Sequence, residues 1–166
     1  MVGILAATGN AAVTLAVGPG IYAHEVAHYL ACRLVGLEVY GPPSIGLTGD
    51  ATFDHEPAGD FWADALVAGA PLVVNSLLAV LAFLVATNAG TPWGWLALWL
   101  GLTMSLTALP SGPDTATLLA GVRTLPRPRR PLGYALALPL RAVSASTLLA
   151  GPVTLVWTVV LYGLAM

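Results

Sequence analysis

His24-Glu25-Val26-Ala27-His28 is the stretch whose residue types and spacing can do chemistry. Two histidines four positions apart on a helix lie one turn apart on the same face, so both imidazoles can reach one metal ion. Glu25, beside the first histidine, can touch a water bound to that metal. This is the H-E-x-x-H arrangement of zinc hydrolases, two ligands and a general base. The plainer alternative is a buried helix with two satisfied histidines and a carboxylate. Against it, three ionisable groups are costly in an apolar helix unless they are paired or bind metal. The expected cofactor is therefore Zn2+, on His24 and His28, with Glu25 as the base.

The elements that must position these groups are apolar. The chain has 166 residues, 57% of them hydrophobic and 8% charged, with a mean hydropathy of +0.83. Soluble domains carry about 25% charged residues. The expected fold is an all-α polytopic membrane protein, a single domain over 1–166, with about four transmembrane helices and a small β-hairpin-like segment after the first. A net charge of -2 speaks against a nucleic-acid partner and leaves the lipid bilayer as the surrounding medium. Cys32 is the only cysteine, which excludes an internal disulfide, and it reads as a small packing residue.

The first apolar stretch, 2–35, is too long for one simple span and is interrupted by Gly18-Pro19-Gly20. Either the helix kinks there, or a first segment leads into a second that bears the motif. With no basic region and cleavage site at its start, it reads as a membrane helix and not a removable signal. Arg33 marks its cytoplasmic end, and Gly36 is a helix stop. Residues 37–60 change character. Leu37 to Tyr40, Gly41-Pro42-Pro43, Ser44 to Thr48, a Gly49-Asp50 turn and Ala51-Thr52-Phe53 predict short strands beside the membrane. Their edge either takes a peptide by strand addition or is a plain surface loop. Asp54, His55, Glu56 and Asp60 read as a solvated acidic segment. Glu56 or His55 is a minor candidate for a third ligand, because Pro57 and Gly59 break the helix such a ligand would need.

Further spans are expected at 61–87, 92–109 and 145–165. Phe61-Trp62 and the Trp93, Trp95, Trp99 set are interfacial aromatics. Pro71 is tolerated inside a span where a neighbour satisfies the carbonyl it frees. Asn75, polar at membrane depth, either bonds across helices or donates to a substrate or reacting carbonyl. The third stretch ends in Pro110-Ser111-Gly112-Pro113-Asp114. Asp114 either caps a short helix over 115–122 or completes the metal site. Residues 111–131 form a turn and a loop holding Arg123, Arg127, Arg129 and Arg130. By the positive-inside rule this loop is cytoplasmic, in contact with lipid headgroups. Residues 132–144 lie at the interface, with Arg141 snorkelling. Chain order then puts the end of the first stretch, and so His24 and His28, on the same side of the bilayer as Asp114.

H-E-x-x-H on an early membrane helix, a Gly/Pro/Asn segment on the next and a Pro-rich turn with Asp after the third together resemble the site-2 protease family of intramembrane zinc metalloproteases. The resemblance covers roughly 19–122 and is to a divergent, minimal member. It implies that His24, His28 and Asp114 bind zinc and that Glu25 activates the water. It further implies a site within the membrane near the cytosol, and as substrate a transmembrane segment of another protein, cut after its helix unwinds. The chain departs from the family pattern in four places: Pro71 to Asn75 is one residue longer than the family's usual Pro-to-Asn spacing, Thr107 replaces an Asn, Asp114 comes one residue early, and Thr115 replaces a Gly. Two other readings use the same residues: a zinc-binding pseudoprotease or membrane client-binding protein, and a small transporter subunit. Glu25 favours the enzyme over the binder, since a structural metal site needs no base.

Overall fold

The computed structural model describes residues 2–45, 51–56 and 58–166. In chain order they form α1 (Val2–Leu34), β1 (Val39–Ile45), β2 (Ala51–His55), α2 (Phe61–Asn88), α3 (Trp93–Leu106), α4 (Gly112–Gly121), α5 (Arg130–Ala145) and α6 (Thr147–Leu164), with two short 3-10 turns between α4 and α5. The architecture is mostly helical, with one antiparallel two-stranded sheet.

Gly18-Pro19-Gly20 does not divide α1, which runs through it as one helix. The glycine has a different purpose. At Gly20 α1 crosses the end of α3, and a Cβ there would overlap the Thr103 carbonyl and the Thr107 hydroxyl. Only a residue without a side chain allows this approach. Gly20→Ala is therefore expected to lower the thermal midpoint of the detergent-purified protein by several degrees, as overpacking costs about 1–3 kcal/mol. An unchanged midpoint would mean that the helices separate there without loss. At the other end of α1, Gly36 takes φ 80 and the chain closes a Schellman cap, with Leu37 N–H on Cys32 O at 2.9 Å and Gly36 N–H on Arg33 O at 3.3 Å.

The segment after α1 holds the expected small antiparallel pair, two strands with the Gly-Pro-Pro inside the first of them. β1 continues through Gly41-Pro42-Pro43, and its pairing with β2 shifts register between Tyr40 and Ser44. Two residues without N–H groups cannot bond in the ladder, so the strand bulges there, with Gly41 at φ 112. The Gly49-Asp50 turn and Pro57 lie outside the described residues.

Asp60 is the N-cap of α2, its carboxylate accepting the Trp62 and Ala63 N–H groups at 3.0 Å each. That fixes its role as structural. α2 has 28 residues and is long and apolar enough to cross a bilayer. It leaves Val73, Leu77, Leu81 and Val85 exposed along one face. α3 is shorter than the expected span. Its 14 residues extend about 21 Å against a hydrocarbon thickness of about 30 Å. α6 covers the last expected span, with 18 residues.

Packing is layered on α2. Ala31 and Cys32 of α1 meet Val67. Phe61 and Ala68 meet Leu118, Val122 and Ala137 of the α4–α5 region. Ala79 and Phe83 meet Leu161 and Ala165. Cys32 is fully buried, in keeping with a packing role. The α2 helix thus touches every helix that contributes to the site described next.

Candidate metal centre

His24 and His28 project from one face of α1, and both are buried. Their Nε2 atoms lie 3.1 Å apart. The Asp114 Oδ2 lies 3.7 Å from His24 Nε2 and 3.3 Å from His28 Nε2. These three are the group able to hold a metal ion among the described residues.

The outer nitrogens decide the tautomers. His24 Nδ1 is 2.6 Å from the Thr107 carbonyl oxygen, and His28 Nδ1 is 2.8 Å from that of Val67. A carbonyl can only accept, so each Nδ1 carries the proton and donates it. The Nε2 of a neutral imidazole is then a lone pair. Two lone pairs and a carboxylate oxygen face one point, an arrangement of acceptors that calls for a cation. A tetrahedral centre with bonds of about 2.0–2.1 Å separates its ligand atoms by about 3.3–3.4 Å, close to the spacings found here. The donor set, its spacing and its outer hydrogen bonds fit a metal ion.

Both carbonyls are free for a reason visible in the sequence. Val67 O would normally accept from the N–H four residues on, but that residue is Pro71, inside α2. The His28 imidazole takes the vacated acceptor. Thr107 follows the last turn of α3, and the chain turns away at Pro110 before a regular i+4 bond can form. The His24 imidazole takes that one. Pro71→Ala restores the competing N–H. It is expected to weaken metal affinity by roughly tenfold, the scale of losing an outer-shell partner. Competition against a chromophoric chelator reads this directly. Undiminished affinity would show that the bond to Val67 does not orient His28.

Asp114 sits at the third position of α4. The cap itself is Ser111, whose hydroxyl lies 3.4 Å from the Asp114 N–H. The Asp114 Oδ2 in turn accepts the Ser111 N–H at 2.7 Å and the Ser111 hydroxyl at 2.6 Å. This is a capping box: the N-cap is Ser111 and not Asp114, which as the third residue of α4 completes the box while its Oδ2 also faces the two histidines. Burial pushes the Asp114 carboxyl up, but without a metal the adjoining His24 and His28 rings, which donate to it when protonated, and the Ser111 hydrogen bonds outweigh burial and hold the group well below the ordinary carboxylate range.

Glu25 is half-buried and lies near enough to His28, His24 and Asp114 to interact electrostatically with all three. Among the described residues its carboxylate has no hydrogen-bond partner. Asn75 is fully buried at the crossing of three helices. Its amide N–H groups donate to Gly20 O and to the Thr107 hydroxyl, each at 3.1 Å, and its Oδ1 has no partner among the described residues. This makes Asn75 a cross-helix brace that holds Thr107, and through Thr107 the His24 ring. His55 and Glu56 are exposed, the His55 Nδ1 lying 2.8 Å from Glu56 O, and neither belongs to the metal-holding group.

The partners that sequence reading missed are Thr107 O, Val67 O and Ser111. The first two act through the main chain. Only Pro71, four residues after Val67, and the helix break before Pro110 mark them. No family model, curated protein or solved structure matches the chain, so the functional argument rests on this geometry.

Proposed function

We propose that the chain is a multi-pass membrane zinc metallopeptidase that hydrolyses peptide bonds in or near transmembrane segments. The observation that carries the reading is the convergence of two Nε2 lone pairs and the Asp114 carboxylate, with the Glu25 carboxylate, which has no hydrogen-bond partner among the described residues, beside them. His24, His28 and Asp114 would hold the metal. Zinc bound there supplies Lewis-acid activation of a water and of the scissile carbonyl. Glu25 accepts the proton of the attacking water and returns it to the leaving amine nitrogen. Thr107 and Val67 keep the imidazole protons on the outer nitrogens throughout.

The membrane setting is supported by α2 and by the exposed apolar rows. On α2 these include Leu77 and Leu81, and on α6 Leu155, Val156 and Val159. Contiguous apolar surface of this kind is rare on a protein surrounded by water. The five arginines beyond Asp114 support a site near the cytoplasmic side, by the positive-inside rule.

The test is metal content together with cleavage. Detergent-purified protein prepared with zinc is expected to hold about one zinc per chain, and His24→Ala to hold none. The wild type is expected to cut a transmembrane test substrate whose helix is destabilised by Gly and Pro. Wild type without bound metal would sink the proposal. Zinc-loaded protein that cuts no substrate of a varied panel would transfer the site to a metal-binding client protein.

A further inference from the structure

We propose that the groove between α4 and α5 binds one anionic phospholipid, its phosphate on Arg123 and Arg141 and its acyl chains on the apolar floor. The groove is a cavity of about 450 Å³. Ala116 and Leu119 of α4 and Leu138 of α5 form its floor, and Arg123, Tyr134 and Arg141 its polar rim. The proposal rests on the membrane setting above, and not on the metal or the hydrolytic chemistry.

Charge selects the ligand. Arg123, Arg127, Arg129, Arg130 and Arg141 are five of the six basic residues of the chain, and no Asp or Glu follows Asp114. Apart from Asp114, which faces the histidines and does not line the groove, α4, α5 and the loop that joins them carry no carboxylate. The arginines are not equivalent. Arg130 is spent on main-chain carbonyls, its Nε on Leu125 O at 3.1 Å and its Nη2 on Arg123 O at 3.0 Å. Arg141 uses Nη1 on Gly112 O at 2.8 Å and keeps its remaining N–H groups. The Arg123 guanidinium has no partner among the described residues. Two planar guanidiniums with free donors, lining one largely apolar groove, match a phosphodiester better than water does. The floor argues for a lipid over free phosphate, which would gain nothing from Ala116, Leu119 and Leu138. Leu132 and Leu136, exposed on α5, continue the apolar surface along the same helix.

The site has a structural connection to the metal centre. Arg141 holds Gly112, and Ser144 of α5 bonds Thr115, so α5 grips the first turn of α4 on both sides of Asp114. A lipid bridging α4 and α5 would strengthen that grip.

Native mass spectrometry of protein in neutral detergent tests the proposal, with dioleoylphosphatidylglycerol, dioleoylphosphatidylcholine and inorganic phosphate as probes. One phosphatidylglycerol should be retained per chain, at least about tenfold more tightly than phosphatidylcholine. Arg123→Gln should weaken it roughly fivefold, the effect of one arginine at an anionic headgroup, and Arg127→Gln should leave it unchanged. Arg123 has no side-chain bond to lose, so its variant folds; an unaltered thermal midpoint and zinc content verify this. Equal retention of the two lipids would overturn the proposal, as would wild-type retention by folded Arg123→Gln. Displacement of the lipid by millimolar phosphate would identify a free-phosphate site instead and overturn it equally. Failure to associate with any lipid or with vesicles of either composition would overturn the membrane reading, and the lipid site with it.

Discussion

Glu25→Gln is expected to keep its metal and its fold while cleavage of a helix-destabilised transmembrane substrate falls by about a hundredfold or more. The substitution is nearly isosteric and removes only the proton-accepting oxygen. Metal should be retained, because adjacent helical residues diverge by about 100°, and His24, which precedes Glu25, already faces the site. The fold should be retained because no hydrogen bond ends on this carboxylate among the described residues. A half-buried, unpartnered carboxylate in an apolar helix costs stability, so the variant is expected to be equally or slightly more stable. The readout is gel analysis of the substrate beside zinc content and thermal midpoint. Equal cleavage by wild type and zinc-loaded Glu25→Gln would refute the role of base. Loss of zinc in the variant would mean that Glu25 is a ligand.

The second large effect concerns Asp114. Both Asp114→Ala and Asp114→Asn are expected to lower zinc affinity about a hundredfold or more, beyond the effect of losing an outer-shell partner. Glu56→Ala should leave it unchanged, because Glu56 is exposed and outside the cluster. The two Asp114 variants separate its two duties. Asparagine keeps an oxygen that accepts the Ser111 N–H, so only alanine should also lose the capping box, which is worth about 1 kcal/mol. Chelator competition gives the affinities, and the thermal midpoint of metal-free protein gives the capping term. Equal metal-free stability of the two variants would remove the capping role. An effect from Glu56 with none from Asp114 would require a different third ligand.

The metal-holding cluster was legible because its chemistry is carried by side chains at telling positions. His24 and His28 are separated by one helical turn, and Asp114 follows a Pro-Gly break that ends an apolar stretch. Topological reasoning from the arginines then put both on one side. Pro71 signalled a carbonyl in need of a partner, but periodicity alone cannot say which distant group fills it. His28 fills it through a contact spanning 39 residues. The choice between cap and ligand for Asp114 was unresolvable for a similar reason. One carboxylate can close a capping box and still face a metal site, and only three-dimensional placement sets the Asp114 Oδ2 against both Ser111 and the histidines. The fold was less legible at element ends. Gly18-Pro19-Gly20 looks like a break by local propensity, yet α1 continues through it because the absent side chain at Gly20 admits α3. Gly41-Pro42-Pro43 looks like a turn, yet a bulge absorbs it within one strand. In both places long-range packing or pairing prevailed over the local signal.

The main-chain anchoring of the two imidazoles has a consequence for how the centre responds to acidity. Where a carboxylate steadies a ligating histidine from behind, that support weakens when the carboxylate takes up a proton. Peptide oxygens do not titrate in any range that a protein survives. The tethers behind His24 and His28 therefore do not depend on acidity, and both rings stay fastened to the main chain across that range. An ion lost from such a centre would leave behind the side chains that had held it still aimed inward, so its return would need no rearrangement of the helices.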